Sequence, residues 1–339
     1  MSSDMTAGFS WIGCYTDAEN PLGLREIACD ARTGELRALR ACAVENALYQ
    51  ALLPDGRHLI SCARAGLVAV RVDGTRPVVV DTLPLAAKCL CHVAVMPDGQ
   101  TVCFADYLLG EAGSVRFEGG RFLPETLVRH RHEGHGPNLP RQDAPHCHQA
   151  IPLPDGSGYC VVDLGLDRLS VYPAGLHAKT EPLGAGPRHL AFHPDGVHAF
   201  LVSELGNLVS VIRLSEGRFG FLGAVSTLPT DWTGASQAAA IRVASDGARV
   251  FVSNRGHDSI STFDFDAVRE ELTLRTVSSV PGSWPRDFDF LPGGELALVA
   301  LEREGAVASM RYNPATGGFA PLGMLGGFHR PSSVTVVGI

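Results

Sequence analysis

Short apolar runs follow one another along the chain, separated by clusters of Gly, Pro, Asp and Asn. The stretch HLAFHPDGVHAFLVS (189–203) is representative: two strand-like runs flank a Pro-Asp-Gly turn, and LVSVIRL and FGFLGAV follow. Pro presets φ at such a turn, and Asp and Gly tolerate the tight return. The triplet recurs at Pro54–Gly56, Pro97–Gly99, Pro154–Gly156 and Pro194–Gly196, with variants at Ser245–Gly247 and Pro292–Gly294. The central residues, 55, 98, 155, 195, 246 and 293, lie 43, 57, 40, 51 and 47 positions apart. Four short strands per repeat of this length predict β-propeller blades. Six turns mark six blades. RPSSVTVVGI at the end reads as a first strand that stops, and FSWIGCYT, GLREIAC and ELRALRAC at the start read as three strands lacking a first. Joined in one sheet they complete a seventh blade and remove the free edges. The expectation is an all-β seven-bladed propeller filling 1–339, with helix nearly absent. Two packed sandwich domains are the alternative, and they would not require complementary ends.

The repeat places polar residues together. In a propeller the first strand of each blade lines the channel, so residues shortly before and after each turn meet at one channel mouth. Seven before the turn centre stand Leu48, Cys91, His148, Arg188, Ala239 and Arg286. Nine after stand Arg64, Tyr107, Leu164, Glu204, Arg255 and Glu302. His146, two before His148, should share its side of the strand by period-two alternation. Four arginines, two glutamates and one or two histidines would thus face one axis. Arginine suits bidentate recognition of carboxylate or phosphate, and an imidazole beside a carboxylate suits acid–base work. The competing reading is that Arg and Glu only tie neighbouring blades together.

The bulk numbers sharpen this. The chain is 45% hydrophobic and 19% charged, with a net charge of −8. The basic ring therefore sits in an acidic protein, and nucleic acid is not an expected partner. No apolar run is long enough for a membrane span, and the start MSSDMTAGFSWIG lacks the features of a signal peptide. Nine cysteines without framework spacing, several inside strand-like runs, fit a reducing cytoplasm. A monomer or weak homo-oligomer is expected.

WIGCYT, PHCHQ, DLGLDRLSVY, GPRHLAFHPDG, SELGNLVSV, SNRGHDSI and WPRDFDFLPGG resemble the seven-bladed lactonase family. That family includes bacterial 6-phosphogluconolactonases and fungal carboxy-cis,cis-muconate cyclases. The resemblance runs through essentially the whole chain and implies a cytoplasmic lactonase of carbohydrate metabolism. It implies a small anionic lactone or sugar-acid substrate and no metal or cofactor. By motif, the catalytic His, two Arg and Glu of the cyclases correspond to His146 or His148, Arg188, Arg255 and Glu204. Pro145 aligns with Pro187 and favours His146, whereas counting favours His148. Arg64, Tyr107, Arg286 and Glu302 are the expected substrate-binding residues. Ala240 and Arg64 stand where relatives often carry an acidic residue, so the substrate could differ from 6-phosphogluconolactone. A lactonising cyclase and a non-catalytic scaffold are the alternatives.

Metal binding is the other chemistry to weigh. His146 and His148 offer two ligands, and zinc needs three or four. His130, His132 and His135 would complete a site only if their loop folded over the channel. They are expected as loop residues able to contact substrate at the rim, and Cys89, Cys91 and His92 as an ordinary first strand. No Walker-type loop and no Gly-x-Ser-x-Gly elbow occur.

Overall fold

The computed structural model describes residues 7–215 and 218–337. The first six residues of the segment read as lacking a signal peptide, and the last two of the expected closing segment, lie outside the described residues. All regular structure in the described residues is β: 28 strands in seven antiparallel four-stranded sheets. The expected ring of seven blades is observed. In blade 1, strand Pro331–Val337 pairs with Ala7–Cys14, which pairs with Leu24–Asp30 and then Leu36–Cys42. Blades 2 to 7 take residues 50–84, 90–131, 147–179, 187–226, 237–279 and 285–326. The closing register runs from Phe9–Val337 to Gly13–Ser333. Ser332 Oγ fastens the seam by donating to Gly13 O or Leu48 O, 3.1 and 3.0 Å away.

Each Pro-Asp-Gly turn is built as its residues dictate. The Asp55 carboxylate accepts the Arg57 and His58 amides at 2.8 and 3.0 Å, and Gly56 takes φ +65°. Asp98 and Asp195 cap their turns in the same way.

The core is not one body but seven apolar clusters, each filling the seam between two neighbouring blades. Between blades 6 and 7, for example, Phe251 and Ile260 meet Phe288 and Val299. Inner strands are therefore covered on both faces, and Leu296–Leu301 is apolar and buried throughout. Outer strands such as Phe319–Gly326 are largely exposed or half-buried. This explains why some strands read as continuous apolar runs and others alternate.

Candidate functional site

The inner strands carry a shared irregularity. In six of the seven, the pairing slips by one residue near the strand start, with Cys91, His148, Arg188, Arg286 and Ser332 as unpaired extras, and Ala239 and Ala240 opposing Ser253. A bulge of this kind re-aims a side chain. In blades 3 to 7 it falls on the position counted seven before the turn.

Three of the bulged residues, Cys91, His148 and Arg286, line a cavity of about 640 Å³ at one channel mouth, a volume suited to a small ligand. Five arginines line it (Arg141, Arg255, Arg286, Arg303 and Arg330) against two glutamates, Glu204 and Glu302, leaving a net charge of +3. A second cavity of equal volume lies by the turns of blades 6 and 7, where Arg242 pairs with Asp289 and Arg249 with Asp264.

Glu204 is the hub. Its Oε1 accepts from Arg141 at 2.6 Å, and its Oε2 lies 2.8 Å from Arg255 NH2 and 3.3 Å from Arg188 Nε. Burial works to raise its pKa, but Arg255, Arg188 and Arg141 outweigh this and hold the carboxyl well below its ordinary range. Arg188 is 3% exposed and does not line the cavity. It sits behind Glu204 and donates to Ala239 O at 2.8 Å. Burial and then Arg255 and Arg286 push Arg188 down to about 9, so it remains a cation at neutral pH. Arg255 is anchored by Gln237 O and Ala238 O and does line the cavity. Glu302 is the second hub, 3.1 Å from Arg286 and 2.6 Å from Arg330.

His148 lines the cavity, and its Nδ1 is buried without a hydrogen-bond partner among the described residues. Burial, reinforced by Arg188, pushes its pKa well below the ordinary imidazole value. It is therefore a neutral ring at pH 7. Cys91 also lines the cavity, but burial drives its thiol well above its usual pKa. A thiolate nucleophile is thereby disfavoured.

Several sequence expectations need correction. His146 does not share the orientation of His148, because the bulge between Cys147 and Gln149 breaks the alternation. Its ring stacks on Tyr107 at 4.3 Å, with Nδ1 3.0 Å from Tyr107 O, and it braces that wall residue from outside the cavity. Arg64 is also outside, 70% exposed at its side chain and paired with Glu45 at 2.9 Å. None of His130, His132 and His135 lines the cavity. His130 stacks on Tyr172. His132 is buried with Asp163 at 2.5 Å and Tyr172 at 3.0 Å. His135 lies in a separate cleft with Asp167 and Lys179. His132, Cys147 and Asp163 are close enough to share an ion, but as placed they contact one another in a hydrogen-bonded network. Asp163 also accepts the His146 amide at 2.9 Å and so fixes the start of this strand.

The turn count placed Cys91, Tyr107, His148, Glu204, Arg255, Arg286 and Glu302 in one cavity. It missed Tyr15, Cys89, Leu108, Arg141, Gln237, Trp284, Arg303 and Arg330. The repeat holds a signal for most of them. Cys89, Gln237 and Trp284 stand nine before a turn, and Leu108 and Arg303 ten after. Tyr15 and Arg330 occupy the matching places in blade 1, which has no such turn to count from. Arg141 comes from the 132–146 connection, outside the repeat.

Residues 9–336 match the family described as Lactonase, 7-bladed beta-propeller. A curated relative, the 6-phosphogluconolactonase of Bacillus subtilis, is 31% identical over 98% of this chain and 97% of its own. An uncharacterised protein of Lactococcus lactis is 33% identical over 90% and 92%. Among solved structures, a Lactobacillus plantarum protein superposes with TM-score 0.89 at 30% identity, covering 98% of this chain and 99% of that one. The periplasmic gluconolactonase of Pseudomonas aeruginosa gives 0.89 at 25% identity with the same coverage. The chain belongs to the seven-bladed β-propeller lactonase family. Among the described residues no helix is long and apolar enough to cross a membrane.

Proposed function

We propose that the protein hydrolyses the lactone of an anionic sugar acid, with 6-phosphogluconolactone the first candidate. One arrangement carries the reading: a neutral imidazole, His148, and an ionised carboxylate, Glu204, meet in a cavity walled by five arginines. The names of the Bacillus and Pseudomonas relatives support lactone chemistry.

In this mechanism the cationic wall captures the anionic substrate, and Arg255 and Arg286 face the carbonyl oxygen as it gains negative charge. His148 accepts a proton from water as the water oxygen attacks the carbonyl carbon. It returns that proton to the ring oxygen as the C–O bond breaks, releasing the open hydroxy acid. Glu204 holds Arg255, Arg188 and Arg141 in place and stabilises the imidazolium that forms. A bound anion offsets the arginine charge and moves His148 upward, toward the range where a general base is effective. The cysteines are all free, which supports a reducing, cytoplasmic setting.

The test is a panel of lactones, phosphorylated and not, with each rate measured against hydrolysis in buffer alone. δ-Lactones open unaided, so only excess over the blank counts. No excess on any anionic lactone would defeat the proposal.

A further inference from the structure

The cavity has two unequal sides. His148 and Glu204 belong to blades 4 and 5, with Tyr107 and Arg141 beside them. Across the ring stand blades 7 and 1, which contribute Trp284, Arg303, Tyr15 and Arg330. The proposed proton transfers and oxyanion contacts use none of these four, and Arg303 and Arg330 enter only through the overall charge of the wall.

They are organised around two aromatic faces, each with a nearer arginine from this wall and a more distant one, Arg255 at 5.7 Å from Trp284 and Arg286 at 5.7 Å from Tyr15. Arg303 lies over the Trp284 ring at 3.3 Å, and Arg330 over Tyr15 at 4.2 Å. The charge balance separates the two arginines. Arg141 and Arg255 pair with Glu204, and Arg286 and Arg330 with Glu302. Arg303 alone among the lining arginines has no carboxylate partner among the described residues; it rests on the face of Trp284. Stacking on an aromatic face orients a guanidinium without consuming its donors.

The backbone points the same way. Two before the bulge the chain turns left-handed in three blades, at Gly186 (φ 62°), Trp284 (65°) and Arg330 (47°), and Asn46 (51°) does so at the equivalent place in blade 2, which has no bulge. Gly and Asn tolerate this conformation, whereas a bulky side chain is strained there. The two bulky exceptions are the two on this wall. Trp284 is held in place by Asp258, which accepts its amide at 2.8 Å. Strain kept in a cavity wall, where glycine would relieve it, signals a demand on the side chain.

We infer that Arg303, stacked on Trp284 and flanked by Arg330 on Tyr15, is a second anion subsite that selects substrates carrying a terminal phosphate or carboxylate remote from the lactone carbonyl. The inference rests on the lactonase reading, but its test does not require turnover. The reacting carbonyl lies beside His148, and the distal anion lies across the ring on Arg303.

The experiment is calorimetric binding of two product acids, 6-phosphogluconate and gluconate, to the full chain and to Arg303→Ala and Trp284→Gly. The wild type should prefer 6-phosphogluconate. Arg303→Ala should weaken that acid by roughly 10- to 100-fold, the range of one charge-assisted hydrogen bond, and leave gluconate within about twofold. Trp284→Gly, which relieves the left-handed backbone, should lose the same preference because it removes the platform under Arg303. Equal binding of both acids by the wild type, or an equal loss of both in Arg303→Ala, overturns the subsite. A wild type that selects the phosphorylated acid through Arg303 yet opens no lactone above the blank leaves the subsite standing and defeats the hydrolytic reading.

Discussion

Replacing Glu204 by glutamine keeps the side-chain shape and removes one negative charge from among three guanidiniums. Two of these, Arg188 and Arg255, are 3% and 4% exposed, so water cannot replace the lost partner. At an effective dielectric near 20, unit charges about 4 Å apart attract by about 4 kcal/mol, which bounds the two buried pairs at about 8 kcal/mol. Arg141 is 37% exposed at its side chain, and solvent screening leaves its pair a small share. Desolvation already offsets part of the attraction, so the net loss of stability should be about 3–5 kcal/mol, as when one partner of a buried pair is removed. Urea unfolding followed by tryptophan fluorescence measures it as a lower midpoint at unchanged m. Combining Glu204→Gln with Arg188→Met should recover part of the loss, because the stranded cation goes too. A loss under about 1 kcal/mol, or a double variant no more stable than the single, would refute the hub assignment.

Arg255→Ala should lower kcat/KM on the best lactone by roughly 10²–10³-fold, the effect of one lost oxyanion donor; a change under about threefold removes Arg255 from the transition state. Burial and the neighbouring arginines depress His148, so its basic form persists below the ordinary imidazole range. Blank-corrected kcat/KM should therefore stay flat from pH 8 through about 6.5, the ordinary imidazole pKa, and fall only at lower pH. An acid limb centred at or above 6.5 contradicts an arginine-surrounded base. Deleting residues 331–339 removes the inner strand of blade 1 and its pairing with Ala7–Cys14, exposing an edge. Size-exclusion chromatography should show aggregation, and a truncated chain that stays monodisperse with an unchanged melting temperature would show that closure does not depend on this strand.

The blades were legible because Pro-Asp-Gly turns are local chemistry repeated at a regular interval, and the closure was legible because each end lacks what the other supplies. Half of the cavity was legible for the same reason: residues at equal distance from equal turns converge. The errors have a common origin in backbone irregularity. Alternation put His146 beside His148, but it fails where Cys147–Gln149 slips by one residue, and a slip leaves no mark in composition. Arg64 obeyed the count, yet its blade has a three-residue inner strand, Gln50–Leu52, without a bulge, and it turned outward to Glu45. Tyr15 and Arg330 were hidden because blade 1 is assembled from both ends and has no turn from which to count. Arg188 was correctly placed near Glu204, but its burial behind that carboxylate follows from packing, which spacing does not reveal.

The central claim is that His148, in an arginine-walled cavity, drives lactone opening. The most direct measurement is the initial rate of 6-phosphogluconolactone hydrolysis at pH 7 by wild type, His148→Ala and His146→Ala, each corrected for the buffer blank. The account predicts a wild-type rate well above the blank and a loss of at least about 10²-fold in His148→Ala, the span of general-base catalysis. It predicts a smaller loss in His146→Ala, whose ring only braces Tyr107. A His148→Ala enzyme that keeps wild-type turnover, or a loss confined to His146→Ala, would contradict it.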